Sequence, residues 1–287
     1  MTSNLTFETG AFGRKAVAVG PWTDEATNVL LDMGIVDLEL NSAKGWSGDT
    51  VTFLEELPKL ASLRILDYRI NSVQPVHFLT KLRSLEILTY CKTEVDFSFF
   101  PLLEDCSLEW RPRASSLFNC KTLRHLFLNR YNRKETRPFG NLSNLNSLTI
   151  LAAPIENLSG LASLTKLITL RLGRLTKLRS LEGLEDLTTL EELEINTCRG
   201  IGSIKEIARL KNLVSLSISN DGEISSLSPL HDLEKLQKVI FYESTNITDG
   251  DLSLLTRLKY LEMVSFRNRR HYSHKREDIS RQLTTAA

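Results

Sequence analysis

Residues 145–172 read LNSLTILAAPIENLSGLASLTKLITLRL. Leu145, Leu148 and Ile150 spell Leu-x-x-Leu-x-Leu, and Leu167, Leu170 and Leu172 spell it again 22 positions on. The Leu-x-Leu portion alternates, so it predicts a short strand with one face buried. Between the two strands, Leu158, Leu161, Leu164 and Leu167 recur every third residue. That period suits a 3₁₀ turn whose leucines pack onto the back of the strand layer. Each strand then pairs in parallel with its copy in the next unit, about 4.8 Å away. No such unit has a core of its own, so stability must come from stacking.

The phrase continues in both directions. Downstream it reads Leu190, Leu193, Ile195, then Leu213, Leu216, Ile218, then Leu236, Val239, Phe241, and finally Leu261, Val264, Phe266. Upstream it reads Leu123, Leu126, Leu128, then Leu103, Cys106, Leu108. Earlier copies are read as Leu85, Leu88, Tyr90, as Leu63, Leu66, Tyr68 and as Ile35, Leu38, Leu40. Eleven strands are expected in one continuous solenoid. Spacing is uneven, from 18 between Leu85 and Leu103 to 28 between Ile35 and Leu63.

These units resemble leucine-rich repeats of the short class found in bacterial internalins and in phosphatase-regulating relatives. ISSLSPLHDLEKLQKVIF (residues 224–241) and IENLSGLASLTKLITLRL (residues 155–172) carry the resemblance most closely. It implies an α/β solenoid: a right-handed leucine-rich repeat horseshoe with a parallel concave sheet and a convex side of 3₁₀ and short-helix turns. In that family an Asn usually follows the last strand leucine by three positions and satisfies backbone groups inside the turn. Here those places are read as Asn71, Thr93, Arg111, Tyr131, Ala153, Leu175, Cys198, Asp221, Ser244 and Arg269. Thr, Cys, Ser and Asp can substitute in part as hydrogen-bonding residues. Arg111, Tyr131, Ala153 and Leu175 are not expected to, so the turns should be irregular in the middle, near Pro101 and Pro112.

The ends read as caps: residues 1–34, then the repeats over 35–266, then a basic cap or tail over 267–287. Lys15 to Val19 suits a strand. Thr23 to Met33 suits a helix, with Thr23 as N-cap, acidic residues in the first turn and Gly34 as its stop. Leu252, Leu255 and Leu258 suggest another helix over 248–259, and Arg270, His271 and Tyr272 are placed to fold back over the last repeat. The start has no apolar leader-like core and no run reaches membrane-spanning length, which gives the expectation of a cytoplasmic protein with reduced thiols. Net charge is +1, which excludes an overall field drawing the chain to nucleic acid or anionic lipid.

Chemistry is sparse. The sequence has no phosphate-binding glycine loop, no His-Glu-x-x-His, no Gly-x-Ser-x-Gly and no Cys-x-x-Cys. His271 and His274 lie three apart but lack a carboxylate or thiolate companion. No enzyme activity, no cofactor and no metal are therefore expected.

Outward positions of the strands should line the concave face. Charges of both signs are interspersed along them, which suits a protein partner with a mixed surface. Ile65, Ile87, Leu151, Ile240 and Met263 are read as apolar members of that face. The partner-binding candidates are Asp105, Trp110, His125, Phe127, Asn129, Arg171, Glu192, Glu194 and Tyr242, with Phe127 as the aromatic anchor. The expected function is a monomeric, non-catalytic protein-binding module, in one form an inhibitor or immunity-type protein that covers a toxin or enzyme. The alternatives are a regulatory scaffold for a phosphatase or other enzyme and, less favoured because no segment supplies a catalytic domain, a ubiquitin-ligase-type effector.

Overall fold

The computed structural model describes residues 4–286. The chain forms two compact units, divided in sequence between Leu128 and Asn129.

The first unit begins with an antiparallel hairpin of β1 (Leu5–Gly10) and β2 (Gly13–Ala18). Gly10 faces Gly13 across a two-residue turn, and Gly13 sits at φ 103, where a side chain is strained. The sequence reading had the second strand and not the first. Helix α1 (Asp24–Asp32) follows; the Thr23 hydroxyl accepts the Ala26 N–H at 3.2 Å, and Ala26, Thr27 and Leu30 turn inward. β2 pairs in parallel with β3 (Asp37–Asn41), so the hairpin and α1 close the first edge of the repeats. Next come β4 (Ser62–Leu66), β5 (Ser84–Leu88), β6 (Asp105–Glu109) and β7 (His125–Asn129), in chain order and parallel through β6.

Two strands sit in a different frame from the one expected. β4 aligns Leu63 with Leu38 and Leu85, and Ile65 with Leu40 and Ile87. The repeat phrase is therefore Leu60, Leu63, Ile65 and then Leu82, Leu85, Ile87, three residues before the frame read from sequence. Ile65 and Ile87 are fully buried, so they belong to the core and not to the concave face. Tyr68 and Tyr90, expected inside, stand 59% and 57% exposed. A slip of three is possible because leucines recur every third residue into the strand, and only alignment with neighbouring strands decides between the frames.

The second unit carries β8 (Ser147–Leu151), β9 (Thr169–Gly173), β10 (Glu192–Asn196), β11 (Ser215–Ser219), β12 (Glu223–Ile224), β13 (Lys238–Tyr242), β14 (Asn246–Ile247) and β15 (Met263–Phe266). β8, β9, β10, β11, β13 and β15 form a parallel run in that order, while β12 and β14 pair separately. Leu148, Leu170, Leu193, Leu216 and Val239 stack in register along the core. Returns are short 3₁₀ turns such as Ser159–Leu161 and Lys205–Arg209. Leu252, Leu255 and Leu258 do not form the expected helix. Only Ser253–Thr256 coils, as a 3₁₀ turn, because a leucine period of three matches that turn and Gly250 breaks the chain at φ 68.

The basic stretch after β15 packs against the last repeat. Tyr272 sits edge-on to Phe241 and Phe266 at 6.1 and 5.9 Å, and its oxygen accepts the Ile247 N–H at 3.0 Å. Helix α2 (Arg276–Ala286) follows and buries Ile279.

Candidate functional site

The concave side of the first unit is dominated by ion pairs. In the corrected frame its middle row is Glu39, Arg64, Glu86 and Ser107. Lys15 Nζ lies 2.7 Å and Lys44 Nζ 3.2 Å from Glu39, and Arg64 Nε lies 2.8 Å from Glu86. Burial alone would raise the Glu39 carboxyl, but hydrogen bonds from Lys15, Asn41 and Lys44 outweigh it and hold the group at about 2. Charges on this face thus largely neutralise one another.

Of the sequence candidates in this unit, Asp105 and His125 meet across β6 and β7 through His125 Nδ1. Phe127 is half-buried one step along β7. Trp110 is only 9% exposed and its ring packs 6.0 Å from Phe118, so it serves the core rather than the recognition surface. The most exposed aromatic feature is one that sequence reasoning missed. The Tyr68 and Tyr90 rings stack at 4.1 Å just beyond β4 and β5. Their spacing of 22 carried the signal, and the slipped frame hid it.

In the second unit Arg171 stands at the centre of the surviving candidates. Its Nη2 lies 3.0 Å from Glu192 and its Nε 3.5 Å from Glu194, all three side chains being about half exposed. Register explains the meeting: Arg171 is directly opposite Glu194, and Thr169 opposite Glu192. Asn129 is half-buried at the end of β7, and Tyr242 is exposed at the end of β13.

Beside Arg171 lies a depression of about 310 Å³ with Leu151, Gly173, Arg174 and Asn196 among its lining. Gly173 makes the space. A Cβ there would come within 2.5 Å of Leu151 Cδ2, so the Leu151 side chain leans across the bare glycine. A missing side chain in an outward row was the available sequence signal.

Turns at the edge of this unit explain the scarcity of Asn. Buried Asp221 accepts the Cys198 N–H, donates its own N–H to Thr245 Oγ1 at 3.1 Å, and Thr245 donates to the Ile218 carbonyl at 3.0 Å. Burial pushes the Asp221 carboxyl up to about 6, against the lowering effect of the Cys198 and Ser219 N–H groups. In the first unit Arg111 also fills the role it was not expected to fill. Its buried guanidinium donates to the Glu109 carbonyl at 3.2 Å and to Thr89 Oγ1 at 3.3 Å, because a long side chain with five donors reaches what a short one cannot.

The solved structures similar to this chain include an internalin (inlF) from Listeria monocytogenes, at 23% identity and a TM-score of 0.60 over 75% of this chain and 69% of that one. The fold is that of an internalin-like leucine-rich repeat. The functional domain of InlJ from Listeria monocytogenes, which includes a cysteine ladder, matches at 17% identity and a TM-score of 0.53 over 81% of this chain and 61% of that one. No family model and no curated protein sequence matches this chain.

Proposed function

We propose that this chain is a non-catalytic protein-binding repeat module whose recognition face lies on the second unit. One observation carries the reading: a cluster of Arg171, Glu192 and Glu194 stands half exposed, and Arg171 and Glu194 of that cluster line the Gly173 depression. A partner side chain fits the depression while its charged neighbours exchange with the rim. Exposed ion pairs are weak enough to be redistributed in this way. Size agrees, since a standard interface needs about 800 Å² per side, roughly 28 Å across. Six sheet strands at about 4.8 Å supply that width, and this unit has six in its parallel run.

In its specific form the reading is an inhibitor or immunity-type protein of the cytoplasm that covers a toxin or enzyme. Support for that form is the mixed-sign, self-paired surface, which suits one protein partner better than a polyanion. The test is affinity capture from native cytosol with the parent chain, Arg171→Glu and Lys166→Glu. A partner retained by the parent should be lost by more than about 1 kcal/mol with Arg171→Glu and held by Lys166→Glu. Equal retention by all three chains removes the face from consideration.

A further inference from the structure

The first unit begins on an open sheet edge. β1 has β2 as its one strand neighbour, whereas at the end of the second unit helix α2 packs against the last strand, β15. Hydrogen-bond parity decides which groups of β1 face outward. One step beyond the Leu5–Ala18 pair, the Asn4 carbonyl accepts the Val19 N–H at 2.9 Å, and Gly10 stands opposite Gly13 across the two-residue turn. Bonded and non-bonded pairs alternate in an antiparallel ladder. Asn4, Thr6, Glu8 and Gly10 therefore bond toward β2. The N–H and C=O groups of Leu5, Phe7 and Thr9 point the other way, and no other described segment bonds to them.

The strand lacks the usual safeguards of an edge. Its sequence LTFETG has no Lys and no Pro, and its register with β2 runs without a bulge. Its one charged residue, Glu8, is met within the chain by Lys15 at 3.1 Å and Lys44 at 3.0 Å. Leu5 and Phe7 lie opposite the buried Ala18 and Ala16, so they continue the core rows; as the last members of those rows they are only half-buried.

We propose that β1 is the contact through which two copies of this chain pair, edge to edge and antiparallel, about a two-fold axis at Phe7. This register joins all three outward residues: Phe7 with the partner's Phe7, Leu5 with the partner's Thr9, and Thr9 with the partner's Leu5. Each such pair exchanges two backbone bonds. On the core side the two Phe7 rings form an aromatic cross-strand pair. On the other side Thr6 falls opposite the partner's Glu8, so no like charges face each other. A slip of one residue sets bonding groups against non-bonding ones, and a slip of two carries an outward residue of each copy past the end of the other strand. The strand is thus complementary to itself, which selects a second copy as its occupant, in place of the monomer expected from sequence. This contact lies in the first unit and does not rest on the recognition face proposed for the second.

Sedimentation equilibrium of the full chain between about 10 µM and 2 mM provides the test, because an interface below the standard size gives a weak dimer. The apparent mass should climb from one chain toward two, with a dissociation constant of about 10 µM to 1 mM. Amide exchange should slow with concentration at Leu5, Phe7 and Thr9, while Thr6 and Glu8 are protected throughout. Thr9→Pro removes an outward N–H, which an edge strand tolerates on its open side, and should weaken pairing at least about tenfold with an unchanged urea midpoint. Thr6→Glu should weaken pairing by about threefold or more, and Thr6→Lys should tighten it, since each faces the partner's Glu8. Arg171→Glu should pair as the parent does, so the two proposals fail separately. A mass that stays at one chain up to about 2 mM overturns the inference. So does pairing untouched by Thr9→Pro, or protection of the three outward amides that ignores concentration. Should Thr9→Pro lower the urea midpoint, the two Thr6 variants decide, and equal effects from both overturn the register and the pairing with it.

Discussion

After β8 the chain turns through Ala152 at φ 53; at the matching place after β4 it turns through Asp67, which is not in the left-handed region. The contrast runs along both units. In the second, Arg130, Ala152, Arg174, Thr197, Asn220 and Glu243 all take φ between 53 and 60, each following a strand core by the same count. The N–H of Ala152 donates to the Gly173 carbonyl at 2.8 Å, and that of Arg174 to the Asn196 carbonyl at 2.8 Å, so the backbone itself makes a ladder. In the first unit side chains do this work. Asp67 accepts the Arg69 N–H at 2.8 Å and grips its guanidinium, while Arg111 ties Thr89 to the Glu109 carbonyl. A left-handed residue with a Cβ costs about 1–2 kcal/mol, so the regular ladder is strained at each rung. The side-chain closure avoids that strain but depends on particular residues. One phrase in the sequence thus supports two ways of turning, and the choice is made by residues outside the phrase.

The largest effects are expected in the core frame common to both units. Ile65→Ala in the first unit and Leu170→Ala in the second should each cost about 2–5 kcal/mol, from lost burial and the cavity left behind. Leu66→Ala, one residue along and only half-buried, should cost less than about 1.5 kcal/mol. Urea midpoints measure all three. If Leu66→Ala proves the costlier change in β4, the frame aligned with Leu38 and Leu85 is wrong.

That frame marks the limit of what could be read in advance. Strand positions and their parallel order were legible because Leu-x-Leu alternation is local and repeats. The frames of β4 and β5 were not, since Leu57, Leu60, Leu63 and Leu66 continue one period of three and fit two phases equally. Nor could single residues reveal that Arg171 would be matched by Glu192 and Glu194, which is a property of register between strands. The meeting of Trp22, Trp46 and Phe53 lay further out of reach, because the three rings come from segments whose mutual placement no local pattern encodes.

Next in size are paired substitutions to glycine. Asp67→Gly removes the acceptor of the Arg69 N–H and should destabilise by about 1–2 kcal/mol. Ala152→Gly relieves a Cβ held at φ 53 and should stabilise by about 0.5–1 kcal/mol. The same change at matching places therefore has opposite signs. Thermal or urea melts giving the same sign for both would erase the distinction between side-chain and backbone closure.

Acidity should also separate the units. Glu39 titrates at about 2 when folded, below its ordinary 4.5, so its contribution is present above pH 4.5 and is lost as pH falls toward 2. Asp221 titrates at about 6, above its ordinary 3.8, so its contribution is complete below pH 3.8 and is lost as pH rises through 6. Opening free energies from amide exchange should therefore rise for β10 and β11 between pH 7 and pH 4.5, then fall for β3 and β4 below that. Asp221→Asn should abolish the first change and spare the second.

The smallest effect tests whether the candidate surface is structural at all. Arg171 bridges two carboxylates, but all three side chains are about half in water, where such pairs contribute little and are screened by salt. Arg171→Ala should lower the unfolding free energy from urea melts by no more than about 0.5 kcal/mol, and less at high ionic strength. Arg111→Ala, in contrast, removes a buried guanidinium that satisfies Thr89 and the Glu109 carbonyl, and should cost more than Arg171→Ala. Two arginines three residues beyond and one residue within a strand core are thus assigned different work by their surroundings. A large stability loss from Arg171→Ala would make its ion pairs part of the turn-and-strand framework, and the argument that they are free to exchange with a partner would no longer hold.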